Sequence, residues 1–249
     1  MSMRRLLGDD TDMEDLVLKH IAPGMGCVVA FLMFLSPLKT VLQARANKHL
    51  GDLNPLPLVA IIANCAGWLL YGSIARDPYV ILANEPGLLL GIFMTVSCYG
   101  FADIKVRDVM LRLLLLSAAL LSGVGACLAL FVEDEERAAD VAGYTAVLIL
   151  LCYYAAPLSC LAEVLRSRSS ASLLPPTCAM NTVNGLLWLA YGLAVHDSFI
   201  SVPNAIGAAL GVVQLLFIWI YPAKRSLTAG GGSSGGGGVL QFPSRKHAV

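Results

Sequence analysis

The chain has little charge and nothing that organises it for catalysis. Only 14% of its 249 residues are Asp, Glu, Lys or Arg, and 17 basic side chains cancel 17 acidic ones. The basic residues form no stripe and no aromatic platform accompanies them, which argues against nucleic acid as a partner. The four histidines, His20, His49, His196 and His247, all lie outside the apolar runs. A metal or nucleophile constellation at membrane depth therefore has no parts, and neither enzyme chemistry nor a cofactor is expected. CxxC spacing is absent too: Cys27, Cys65, Cys98, Cys127, Cys152, Cys160 and Cys178 fall singly within apolar runs. That suggests neither a zinc site nor a disulfide framework and leaves them as small packing residues. Arg4 and Arg5 are followed by Asp9, Asp10, Asp12, Glu14 and Asp15 before the first apolar run, which does not fit a cleaved leader. The first hydrophobic helix is expected to act as its own insertion signal.

What the chain does have is apolar length. Its residues are 57% hydrophobic with a mean hydropathy of +0.72, which places it in the membrane class. About 20 apolar residues cross a bilayer, and on that measure spans are expected near 22–43, 56–75, 79–101, 109–131, 142–164, 177–195 and 199–221. Turn formers at Gly51-Asp52, Asp77-Pro78 and His196-Asp197 separate several of them.

A second regularity runs through these spans. Asn64, Trp68, Leu69, Tyr71, Gly72, Asp77, Asn84, Gly87, Leu90 and Gly91 recur, each displaced by 120 residues, as Asn184, Trp188, Leu189, Tyr191, Gly192, Asp197, Asn204, Gly207, Leu210 and Gly211. With Pro37/Pro157, Leu38/Leu158, Leu53/Leu173 and Pro55/Pro175, 14 of 59 aligned positions are identical. Chance would give roughly a third of that, so the chain reads as an internal duplication. Three spans per copy is an odd number, so two copies joined directly would face opposite ways. The single span at 109–131 restores the orientation. The expected fold is an all-α membrane protein of seven transmembrane helices, two parallel three-helix bundles joined by a linker helix. The corresponding boundaries are an extracellular segment 1–21, a first repeat 22–103, a linker and acidic outer loop 104–140, a second repeat 141–222 and a flexible Gly-rich cytosolic tail 223–249. Inner loops and the start of the tail would hold Arg45, Lys48, Lys105, Arg107, Arg166, Arg168, Lys224 and Arg225, against Arg76 and Arg137 outside. The N-terminus is expected outside and the C-terminus in the cytosol.

Polar residues within the spans are mostly carboxamides: Asn64, Asn84, Asn181, Asn184, Asn204 and Gln214. An amide both donates and accepts, which suits a neutral polyhydroxylated ligand better than an ion. Trp68 and Trp188 could offer flat apolar faces to a sugar ring. Such asparagines also serve to bond neighbouring helices, and the tryptophans and Tyr71/Tyr191 fit an interfacial belt as well.

The chain resembles the SWEET family of sugar transporters over nearly all of residues 22–222. The likeness is carried by Ser36-Pro37-Leu38-Lys39-Thr40; by Pro57-Leu58-Val59, Asn64-Cys65, Trp68 and Tyr71-Gly72; and by Asn84 with Gly87. In the second half it is carried by Ala156-Pro157-Leu158, Asn184-Gly185, Trp188, Tyr191-Gly192, Asp197, Pro203-Asn204, Gly207, and Gly211 with Gln214. The resemblance implies bidirectional uniport of mono- or disaccharides, of the glucose, galactose or sucrose class, by alternating access across a plasma membrane. It implies sugar-binding Asn84 and Asn204, stacking Trp68 and Trp188, and lining positions Asn64 and Asn184, with Met33 and Cys152 as further candidates. Four prolines would flex an inner gate: Pro37, Pro57, Pro157, and either Pro175 or Pro176. The outer gate would use Tyr71, Gly72, Tyr191, Gly192 and Asp197, with Arg76 pairing Asp197. The state of assembly, including a homo-oligomer, is left open.

Two positions depart from the pattern. Glu85 stands where the family carries a small residue; an intramembrane acid raises proton coupling, but its place near the outer end of its span, opposite Ala205 in the repeat, favours a snorkelling or hydrogen-bonded acid. Leu38 and Leu158 stand where the related PQ-loop carriers have Gln. That absence weighs against an amino-acid carrier of an internal membrane. A seven-span receptor is the remaining alternative, disfavoured by the duplication and by the lack of outer-loop cysteines.

Overall fold

In the computed structural model the chain is described over residues 12–51 and 53–223, apart from the side chains of Ala155 and Ala156. Arg4, Arg5, Asp9, Asp10, Asp52 and the tail from Lys224 onward lie outside the described residues. Every regular element among the described residues is helical: α1 (Ala22–Leu35), α2 (Leu38–Asn47), α3 (Leu56–Ile74), α4 (Pro78–Tyr99), α5 (Ile104–Phe131), α6 (Glu135–Tyr153), α7 (Ala155–Ser167), α8 (Pro175–Ala194) and α9 (Ser198–Ile220). α1 and α2 form one broken span and α6 with α7 another, so the path crosses seven times in the order three, one, three.

Six of these runs are apolar and long enough to cross a membrane by composition. The seventh, α8, has the length but carries Thr177, Asn181, Thr182 and Asn184, and those polar groups dilute its hydropathy. Helix also starts earlier than apolarity indicates. The first run begins at Asp12 and passes through a π-helical turn at Val17–Ile21, while α6 begins at Glu135, capped by Asp134. Charged first turns belong to these helices because their backbone hydrogen bonding continues beyond the apolar stretch, and acids complement a helix N-terminus.

The duplication is visible in the backbone. Lys48 and Arg168 close α2 and α7 in the left-handed region, and Arg76 and His196 do the same at the turns after α3 and α8. Asp77 and Asp197 then cap α4 and α9, each accepting backbone N–H groups of the following turn. Within the bundles α3 packs on α4 and α8 on α9. Between them α3 lies against α6 and α8 against α1, a reciprocal exchange that joins the two bundles. α5 docks mainly on α3 and is the least buried helix. The chain thus has a tyrosine end, at Tyr71, Tyr191 and the 132–134 loop, and a proline end, at Pro37, Pro57, Pro157 and Pro175.

Candidate functional site: a cavity between the two bundles

The bundles enclose a cavity of about 800 Å³. Its wall includes all eight residues expected to meet a ligand: Met33, Asn64, Trp68, Asn84, Cys152, Asn184, Trp188 and Asn204. Asn181 and Gln214 join them, so all six intramembrane carboxamides face the same space. Neither tryptophan is an interfacial belt residue: Trp68 and Trp188 are buried in the core that spans both bundles. Each meets a tyrosine one turn on edge-to-face, Trp68 with Tyr71 at 5.8 Å and Trp188 with Tyr191 at 5.9 Å.

The amides divide into two symmetric pairs. Asn84 and Asn204 donate through Nδ2 to the carbonyls four residues back, Val80 at 2.9 Å and Ile200 at 2.8 Å. That bond fixes the side chains against their own helices and leaves each Oδ1 as the free end. Asn64 and Asn184 have buried Oδ1 atoms that find no hydrogen-bond partner among the described residues. A buried carbonyl without a donor costs on the order of 1–3 kcal/mol. Both residues line one cavity, at equivalent positions in the two copies.

Close packing brings the helices near enough to form this wall. A Cβ at Gly87 would stand 2.5 Å from the Phe34 ring and one at Gly207 would stand 2.6 Å from the Tyr154 hydroxyl. Phe34 and Tyr154 are equivalent positions of the duplication, and both line the cavity. Tyr154 adds a bond that Phe34 has no atom to make, donating to the Pro203 carbonyl at 2.8 Å. Sequence reading missed Tyr154; its displacement of 120 residues from Phe34 was the available signal.

At the tyrosine end the two bundles lock each other. Tyr71 donates to Asp197 Oδ2 at 2.5 Å, and Tyr191 donates to Asp77 Oδ2 at 2.8 Å. Each aspartate therefore caps its own helix with one oxygen and receives the other bundle's tyrosine with the second. Gly72 and Gly192 allow the approach: a Cβ on Gly192 would lie 2.6 Å from the Ser201 backbone nitrogen, and one on Gly72 would lie 2.9 Å from Val80 Cγ1. Asp77, absent from the expected gate, makes the contact equivalent to that of Asp197. The expected Arg76–Asp197 pair is not made. Arg76 extends outward to Glu135 at 2.6 Å, both side chains largely exposed, while Asp197 is occupied by Tyr71. The αL turn at Arg76 directs its side chain away from the interface.

The prolines fall into two kinds. Pro37 stands at a true break between α1 and α2, where the Ser36 N–H takes the Met33 carbonyl that proline leaves unpaired. Pro157 follows the break at Tyr154 and lies in the first turn of α7. Pro57, Pro175 and Pro176 also lie in first turns, where no intrahelical N–H is needed. The kink expected from a missing backbone bond is therefore not available at those three. Helix-interior prolines exist elsewhere, Pro86 in α4 and Pro203 in α9, beside Asn84 and Asn204. Glu85 is exposed and does not line the cavity.

Similarities to known proteins match this geometry. The profile of a family described as "Sugar efflux transporter for intercellular exchange" matches residues 22–104 and 140–226. A "Bidirectional sugar transporter SWEET4" of Oryza sativa subsp. indica is 30% identical over 200 residues, covering 79% of this chain and 77% of its own. "Sugar transporter SWEET1" of Drosophila pseudoobscura pseudoobscura is 29% identical over 178 residues, 72% of this chain and 78% of the relative. A solved structure of a eukaryotic SWEET transporter superposes with a TM-score of 0.75 at 25% identity, covering 84% of this chain and 98% of the other. Two matched blocks separated at the linker, a seven-helix fold and the shared frame together place the chain: it is an integral membrane protein of the SWEET family of sugar transporters.

Proposed function

We propose that this protein is a facilitative, bidirectional carrier of mono- or disaccharides that works by alternating access, not an enzyme. The observation that carries the reading is the convergence of six carboxamides, Asn64, Asn84, Asn181, Asn184, Asn204 and Gln214, on one cavity between the bundles. A ring of amide oxygens accepts from sugar hydroxyls and offers no fixed charge to hold a zwitterion, which disfavours the amino-acid carrier. Relatives bearing the name bidirectional sugar transporter support the same substrate class. Trp68 and Trp188 close the cavity on the side of the tyrosine lock and supply stacking faces. Tyr71, Gly72, Asp77, Tyr191, Gly192 and Asp197 form the outer gate. Pro37, Pro57, Pro157, Pro175 and Pro176 surround the inner one, with the break at Pro37 and the break near Pro157 as its hinges. In this assignment residues 22–103 and 141–222 are the moving repeats, the proline end is cytosolic and the membrane is the plasma membrane. A homo-oligomer is compatible with the exposed apolar face of α5.

The test is uptake of labelled glucose, galactose and sucrose in a transport-deficient cell. Wild type takes up at least one sugar, and Asn84→Ala and Asn204→Ala abolish that uptake at normal surface expression. Flux that persists in both variants rejects the site. Glu85→Gln leaves uptake and its response to acidification unchanged; a lost response would instead place a proton in the cycle.

A further inference from the structure

The two broken spans pivot on different residues. In the second bundle Tyr154 joins the half-helices α6 and α7: its N–H bonds back to the Leu150 carbonyl at 3.0 Å, and its own carbonyl accepts the Leu158 N–H at 3.2 Å. Pro157 lacks the N–H that would reach the Tyr153 carbonyl, so the ladder is weakened at this pivot. The Tyr154 hydroxyl leaves the span altogether and donates to the Pro203 carbonyl of α9 at 2.8 Å. Gly207 keeps its seat open: a Cβ there would stand 2.6 Å from the hydroxyl but 3.5 Å from the ring carbon Cζ.

Asn204 follows Pro203 directly, so this bond holds the turn that carries the asparagine. That turn is weak by itself. Pro203 denies the Phe199 carbonyl its helical donor, and the Ile200 carbonyl carries the Asn204 side chain as well. In the first bundle Ala83 stands at the position of Pro203 and keeps its N–H, while Pro86 comes only after Asn84. Phe34 stands there at the position of Tyr154 and lines the cavity without a hydroxyl. The hydroxyl is thus present where proline weakens the turn leading into the asparagine, and absent where alanine does not.

We propose that Tyr154 is a positioning residue for sugar recognition: by pinning the pivot of the α6–α7 span to the α9 turn at Pro203, it holds Asn204 in place on the cavity wall. The proposal rests on the sugar-carrier reading above, with Asn204 as a ligand of the sugar. Tyr154 acts through Asn204, and the same bond ties that asparagine to any swing of α7. The first bundle has no such tie between Phe34 and the turn of Asn84.

The experiment measures initial uptake rates by the full chain for whichever labelled sugar, glucose, galactose or sucrose, the wild type carries. KM and the maximal rate per surface transporter are compared among wild type, Tyr154→Phe, Gly207→Ala and the two changes combined. Tyr154→Phe removes the hydroxyl and keeps the ring; Gly207→Ala keeps the hydroxyl but fills its seat. Each raises KM about fivefold, the loss of one neutral hydrogen bond. A bond that served only to stabilise the fold would lower the amount of transporter at the surface and leave KM where it was. With the hydroxyl gone, the methyl group added at Gly207 meets the ring at ordinary contact distance, so the combined variant has the KM of Tyr154→Phe alone. If Gly207→Ala by itself does not reach the surface, Tyr154→Phe restores it there and the comparison of KM values stands. An unchanged KM in Tyr154→Phe overturns the positioning role while leaving the sugar reading intact, as do penalties that add in the combined variant. Absence of uptake of all three sugars by the wild type overturns both readings together.

Discussion

The second bundle has Asn181, Gln214 and Tyr154 where the first, 120 residues earlier, has Ile61, Met94 and Phe34. At Asn64/Asn184, Trp68/Trp188, Tyr71/Tyr191, Asp77/Asp197 and Asn84/Asn204 the two are identical. Identity is concentrated where both copies perform one task together, the amide ring and the reciprocal tyrosine–aspartate lock. Ile61/Asn181 and Phe34/Tyr154 differ on the cavity wall, whereas Met94 is buried against α2 and α3 and only its counterpart Gln214 lines the cavity. The lock needs symmetry because each aspartate accepts the other bundle's tyrosine. The paired Asn and Trp positions match on both sides of the cavity, and Asn181 and Gln214 give the second bundle two carboxamides more.

The largest effect expected is on the shared ring. Asn84→Ala and Asn204→Ala each remove flux, and unequal losses would show that one bundle dominates recognition; labelled sugar uptake normalised to surface expression reads this. Next comes the pair of glycines. Gly192→Ala meets the Ser201 backbone whereas Gly72→Ala meets a Val80 side chain, so Gly192→Ala costs more, about 1–3 kcal/mol for an overpacked contact. Thermal unfolding in detergent compares them, and a lower midpoint for Gly72→Ala would reverse the asymmetry. Tyr71→Phe and Tyr191→Phe each remove one hydrogen bond to a carboxylate, about 2 kcal/mol. Each loosens the tyrosine end by a similar amount, which labelling of a cysteine placed at Val80 by an externally added thiol reagent reports as faster reaction than in the otherwise unaltered Val80→Cys protein. Tyr154→Phe converts the second bundle to the first bundle's chemistry and costs about 1 kcal/mol, again read by unfolding. Arg76→Ala changes uptake least, since its partner is the exposed Glu135 and such pairs contribute little. A gate defect in that variant would restore the Arg76–Asp197 pairing.

The membrane class, the duplication, the seven-pass order and the roster of amides were legible in the residues themselves. Apolar length, a fixed displacement and polar groups at membrane depth are properties of the chain that packing does not alter. The start of α6 at Glu135 was not legible because apolarity marks where a helix meets lipid, whereas hydrogen bonding decides where it begins. The partner of Asp197 was not legible either. Opposite charge at the same end of the bundles favoured Arg76, but Arg76 pairs with Glu135 while α3 carries Tyr71 to the carboxylate.

The residues alone determined that two like copies would present asparagines, tryptophans and tyrosines within a bilayer, because composition and period are local. Only the tertiary structure decided which of them meet across the axis, that Asn64 Oδ1 and Asn184 Oδ1 find no donor among the described residues, and that the linker α5 borders the cavity. Those outcomes depend on how helices pack side by side, and the direction a side chain takes at a helix interface is set by its neighbours.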